Sequence, residues 1–125
     1  MNTLTLTAIF ACALVSATAA EPPPPLACPA TSSGHPFERV NIYNGKPGGE
    51  EYDLAPDDEN HTGRQFTQTW FLKNYRDMSI FVRCRYRGAT AVTNLDVPAP
   101  YQKCTFTFEL DPKNNIVGKP AFLCQ

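Results

Sequence analysis

Between Glu50 and Glu59 the chain carries six carboxylates, Glu50, Glu51, Asp53, Asp57, Asp58 and Glu59, with no Lys or Arg among them. Carboxylates this dense can attract a basic protein surface, hold calcium or share a proton in acid–base catalysis. The spacing lacks the ligand positions of an EF-hand loop, which disfavours calcium. Electrostatic steering of a basic partner is the chemistry that remains, and its plain alternative is a solvated loop that keeps the protein soluble. A second group, Arg83, Arg85 and Arg87, occupies alternate positions, with Arg76 nearby. On a strand, such residues share one face about 6.8 Å apart, and their planar forks suit phosphate or carboxylate. Such arginines also guard a sheet edge, or pair with the acidic segment.

Histidine supplies little for an enzyme. His35 lies among Ser33, Gly34 and Pro36, and His61 follows the acids, without a G-x-S-x-G or H-E-x-x-H pattern beside either. The expectation is a non-catalytic protein with no cofactor. A net charge of −1 gives no global basic field, so nucleic acid is not an expected partner.

The cysteines speak to compartment. Met1 to Ala20 contains no charged side chain, and Leu4 to Ala17 is apolar apart from Thr and Ser. Small residues then precede Glu21, so residues 1–20 read as an export signal cleaved after Ala19 or Ala20, with no membrane span in the mature form. Cleavage removes Cys12 and leaves Cys28, Cys84, Cys104 and Cys124, an even number bound for an oxidising compartment. With no C-x-x-C pair, zinc is disfavoured and two disulfides are expected. Placing Cys104 opposite Cys124 needs only a local turn at Asp111 to Asn115, which tilts the reading to that pair with Cys28–Cys84. Pairing Cys84 with Cys104 and Cys28 with Cys124 also satisfies strand register, so both remain open.

The elements that must position these residues are strands. Residues 21–36 form a proline-rich arm, and residues 37–125 a single β domain. Segment 37–43 is rich in Phe, Val, Ile and Tyr and ends at Asn44-Gly45. In 65–72, Phe66, Trp70 and Leu72 share one face, which makes Trp70 a core residue. In 78–87, Met78, Ile80, Val82, Cys84 and Tyr86 alternate with Ser79, Phe81, Arg83, Arg85 and Arg87, predicting an apolar inner and a basic outer face. Shorter strands are expected over 90–97, 103–110 and 116–124, with a turn at Asp111 to Asn115. The acids are expected on a loop, with at most one helical turn over Ala55 to Asn60. The fold class is all-β: a small, disulfide-bonded, antiparallel sandwich or partly open barrel of about five to seven strands.

Cys28-Pro29, the stretch Val40-Asn41-Ile42-Tyr43-Asn44-Gly45-Lys46-Pro47, Leu54-Ala55-Pro56-Asp57-Asp58, Trp70, Cys84-Arg85-Tyr86, Cys104 and the terminal Cys124 together carry a resemblance. The chain resembles a family of small exported, periplasmic proteobacterial proteins, and small proteins of this kind are similar to periplasmic lysozyme inhibitors and to immunity proteins against type VI effectors. The resemblance implies a periplasmic or secreted protein-binding module. Its expected partner is a basic envelope protein such as a wall-active enzyme. The rival reading is a domain for an anionic envelope polymer or lipid, using the arginine face, and the third is a small enzyme.

Overall fold

The computed structural model describes residues 11–16 and 21–125. Most of the leader expected over residues 1–20 lies outside the described residues. Nine strands are present among the described residues: β1 (Thr31–Ser32), β2 (His35–Gly45), β3 (Glu51–Asp53), β4 (Asp58–Thr62), β5 (Gln65–Phe71), β6 (Ile80–Tyr86), β7 (Val92–Asp96), β8 (Lys103–Leu110) and β9 (Ile116–Cys124). They form two antiparallel sheets that pack face to face and do not close into a barrel. One sheet runs β1-β2-β6-β7, with β3 beside the far end of β2, and the other runs β4-β5-β8-β9.

Alternation decides which residues face inward. Val40 and Ile42 of β2 and Ile80, Val82, Cys84 and Tyr86 of β6 meet Trp70 of β5, Cys104 and Phe106 of β8, and Phe122 and Cys124 of β9. Phe37 bridges the layers, edge-on to Tyr86 at 6.2 Å and to Phe106 at 6.1 Å. Trp70 is 3% exposed, as its strand face predicts, and its indole Nε1 donates to the Leu54 carbonyl at 2.8 Å. That bond satisfies a donor that would otherwise be buried at a cost.

Both disulfides follow from register and from the arm. Cys104 and Cys124 are direct partners in the β8–β9 ladder and are bonded to each other, beside the pair Phe106 and Phe122. Cys28 is bonded to Cys84, so the favoured pairing is the one formed. β6 and β8 lie in different sheets, which removes the register that would have set Cys84 opposite Cys104. The arm is tied to both layers. Leu26 exchanges backbone hydrogen bonds with Cys124 at 2.9 and 2.8 Å, Tyr101 Oη donates to the Pro24 carbonyl at 2.6 Å, and Tyr86 Oη donates to the Pro29 carbonyl at 2.9 Å. The turn at Asp111 forms as expected, with the Asp111 carboxylate accepting from the Lys113 and Asn115 amides. These amides hold the Asp111 carboxyl below the usual carboxylate range, led by the bond from Asn115.

Three local expectations are corrected. The acids do not lie on one loop: Glu51–Asp53 and Asp58–Thr62 are strands in different sheets, because β2 and β5 each have an edge that an extended segment can satisfy. No helical turn spans Ala55 to Asn60, since Asp58–Thr62 is extended; the helical turn is instead a 3₁₀ turn at Leu72–Tyr75, which ends β5 and folds Leu72 fully into the core. Met78, expected on the inner face, precedes β6 and is exposed, whereas Phe81, expected on the solvent face, is 1% exposed.

Candidate functional site

Phe81 is covered because the outer face of the first sheet carries its own packed cluster. Tyr43 of β2 and Phe81 of β6 are direct cross-strand partners, and their rings stack with centroids 5.0 Å apart. The Arg83 guanidinium lies over both rings, 4.8 Å from the Tyr43 centroid and 5.4 Å from that of Phe81. It reaches across β2 to the Glu51 carboxylate at 2.5 Å and donates through Nε to Asn94 of β7 at 3.0 Å. The hairpin that delivers Glu51 depends on Gly45, whose φ is +128° and whose added Cβ would fall 1.8 Å from the Glu50 carbonyl oxygen. No L side chain fits there. The Arg83 bond holds the Glu51 carboxyl below its ordinary range, and the same bond raises Arg83.

The other two arginines are also engaged. Arg85 Nε donates to Asn41 Oδ1 at 2.8 Å. Arg87 lies just past β6, where Nε meets Glu38 at 3.0 Å and Nη2 donates to the Ile116 carbonyl at 3.0 Å. Arg83 and Arg85 therefore share the sheet face, as alternation requires, but Arg83 and Arg87 are already matched to carboxylates. Arg76 belongs elsewhere: its guanidinium donates to the carbonyls of Val97 and Tyr101 and clamps that loop, and desolvation there lowers its pKa.

The six acids divide into two roles. Glu51 is paired with Arg83, and Asp57 is structural. Asp57 accepts from the Phe71 amide at 2.7 Å and from Tyr75 Oη at 2.6 Å, fastening the 3₁₀ turn and raising the Tyr75 phenol. The remaining four are exposed and make only polar contacts. Glu50 accepts from Tyr52 Oη at 3.2 Å, Asp53 from Asn41 at 3.5 Å, Asp58 from Asn60 at 3.1 Å, and Glu59 from Gln68 at 2.7 Å. Among the described residues none of these four forms a salt bridge. The six acids, neighbours in sequence, are thus separated in space, and the aromatic cluster has a local signal in Phe81, which shares the period-two face of Arg83 and Arg85.

Open clefts of about 1120 Å³, beside Arg76, Met78, Asp96 and Pro98, and of about 1030 Å³, beside Pro23, Phe71 and Tyr101, lie on the surface. A cleft of about 380 Å³ opens between the layers under β2, lined by Asn41, Asp53, Leu54, Gln68 and Trp70. No group of three or more His, Cys, Asp or Glu side chains converges as a metal site among the described residues. His35 Nδ1 lies within hydrogen-bond distance of the Arg87 carbonyl, at 2.9 Å, and His61 stacks on Phe66 at 5.2 Å. Phe81 and Arg83 are largely covered within the aromatic cluster, whereas the acids Glu50, Asp53, Asp58 and Glu59 are left exposed without a salt bridge among the described residues.

The chain is 33% identical over 76 residues to an uncharacterized 16.3 kDa protein in the trpG 5′ region of Azospirillum brasilense, covering 58% of this chain and 51% of that protein. The chain thus spans about half the length of this curated relative. No solved structure matches. The family model of the type VI secretion system Tli immunity protein matches residues 30–125, which include both sheets and three of the four bonded cysteines. The chain belongs to the type VI secretion system Tli immunity protein family.

Proposed function

We propose that this immunity protein is exported to the periplasm and there binds and blocks a basic, envelope-attacking type VI effector. Export is supported by the apolar leader before Glu21 and by two disulfides, which persist in oxidising compartments. No helix among the described residues is long and apolar enough to cross a membrane. The role is binding, not catalysis, and the contact surface includes the exposed acids Asp58 and Glu59, with Glu50 and Asp53 at its margin.

The observation that carries this choice is the fate of the arginines. Arg83 meets Glu51 at 2.5 Å and its side chain is only 16% exposed. Arg87 meets Glu38. An anionic polymer or lipid would have to displace these carboxylates and, of the three arginines, would find only Arg85, bonded to Asn41, without one, whereas a basic protein finds both Asp58 and Glu59 free of salt bridges among the described residues.

The test is capture by the immobilised full chain of effectors released by the type VI system of the producing bacterium, followed by assay of the retained effector. One effector should be retained stoichiometrically, and its activity on envelope material should be abolished by the chain. Retention of no effector, or retention without inhibition, contradicts the proposal.

A further inference from the structure

β4 presents an open strand edge. Asp58–Thr62 pairs with β5 through five consecutive partners without a bulge, and among the described residues no strand pairs with its other side. The other edges differ: β9 is covered at Cys124 by Leu26, β3 has only three residues, and β7 runs into the loop that Arg76 clamps. All five β4 side chains are exposed, on both faces, so the strand overhangs the sandwich. Exposed edges are templates for pairing, and proteins block them with charged side chains, above all lysine, with proline, with a bulge or by keeping the strand short. β4 carries no lysine, proline or bulge, and its charges, Asp58 and Glu59, are both negative, which repels an acidic strand and admits a basic one.

What lies beside this edge defines its occupant. On the inner face, His61 stacks on Phe66 at 5.2 Å and Phe66 on Phe108 at 5.5 Å, and the two phenylalanines are only half-buried. This makes an aromatic shelf next to the vacant strand position. Glu59 lies on the same face and Asp58 on the opposite one, since neighbouring strand residues alternate.

The geometry points to β4 as the acceptor for an extended, lysine- or arginine-bearing segment of the effector, added as a fifth strand to the β4-β5-β8-β9 sheet. Backbone hydrogen bonds supply affinity. Cations opposite Asp58 and Glu59, and an apolar side chain on the His61–Phe66 shelf, supply register. This inference rests on the reading that Asp58 and Glu59 face a basic effector, and it adds the mode of contact.

The test uses the full chain with two probes: the acetylated peptide Thr-Val-Thr-Val-Thr-Lys-Lys-Thr, whose adjacent lysines point to opposite faces and whose second valine falls on the face of one of them, and the same peptide N-methylated at every internal residue. Methylation keeps the charge and removes the amide donors from both edges of the peptide. The unmodified peptide should slow amide exchange within Asp58–Thr62 and not within Val92–Asp96, and the methylated one should bind at least tenfold more weakly. The double variant Asp58→Lys, Glu59→Lys should lose at least tenfold for the unmodified peptide. Equal binding of the two peptides, protection at β7, or no binding at millimolar peptide overturns the strand-addition mode. So does a captured effector that leaves the β4 amides unprotected, an outcome under which effector binding itself still stands; failure to capture any effector overturns the underlying reading instead.

Discussion

Glu51 and Arg83, 32 residues apart in sequence, meet at 2.5 Å across the breadth of β2. The contact joins the β2–β3 hairpin to β6 and pins the guanidinium over the stacked Tyr43 and Phe81 rings. An arginine held on both its edge and its face has lost most of its conformational freedom before any partner arrives. The pair thereby fixes the β2–β3 hairpin that carries Glu50 and Asp53 at the margin of the proposed contact.

This pair gives a pH dependence. The folded Glu51 carboxyl is held below its unfolded value, so its contribution is present above the ordinary carboxylate range and is lost as pH falls through the folded value. Asp111 acts in the same direction. Urea midpoints measured from neutral to acid pH should therefore fall on acidification, and Glu51→Gln should flatten the decline. A variant curve parallel to the parent's would remove Glu51 from the account.

Trp70 tests the core. Trp70→Ala should cost about 3–5 kcal/mol through lost packing and a cavity. Trp70→Phe keeps most of the bulk but leaves the Leu54 carbonyl without its donor, at about 1–3 kcal/mol. Denaturant unfolding followed by circular dichroism measures both, and an unchanged midpoint for the alanine variant would place Trp70 outside the core.

The disulfides test export and topology together. Protein recovered from the periplasm should have lost residues 1–19 or 1–20 and four hydrogens, by intact mass. The Cys28–Cys84 bridge spans a separation of 56 residues and Cys104–Cys124 one of 20. Loop entropy then ranks their contributions at about 4 and about 3 kcal/mol, so the Cys28→Ala, Cys84→Ala variant should be the less stable of the two double variants. The opposite ranking in urea would show that the arm contributes little to holding the sheets.

Much of this fold was legible in the residues because alternation is a local signal. The strand 103–110, the strand 116–124 and the turn between them follow from Phe106, Phe108, Phe122 and the Asp111 carboxylate alone. The β4 strand was not legible: Asp-Glu-Asn-His-Thr has no apolar alternation, and only the open edge of β5 makes it extended. Phe81 was misplaced for a related reason. Period two assigns a residue to a face but does not tell whether that face is bare, and Tyr43 and Arg83, distant in sequence or in role, cover it. The acidic segment read as one patch because proximity along the chain hides that Glu51 and Asp57 are consumed by Arg83 and by Tyr75.

Charge reversal separates the two candidate faces. Asp58→Lys with Glu59→Lys should slow association with the captured effector and reduce the salt dependence of binding, while leaving thermal stability nearly unchanged because both side chains are exposed. Arg85→Gln is the matched control on the other sheet and should bind like the parent. Stopped-flow association at low and high salt reads both, and loss of binding in the arginine variant alone would move the contact to the Tyr43–Arg83 face.

The central claim is that this chain neutralises an effector by occupying it. The direct measurement is survival of sensitive recipient cells under attack by the effector-delivering bacterium, with the full chain expressed either with its leader or without residues 1–20. The account predicts protection by the exported chain, loss of protection without the leader, and weakened protection with Asp58→Lys, Glu59→Lys. Equal protection by the leaderless chain, or none by the exported one, would contradict it.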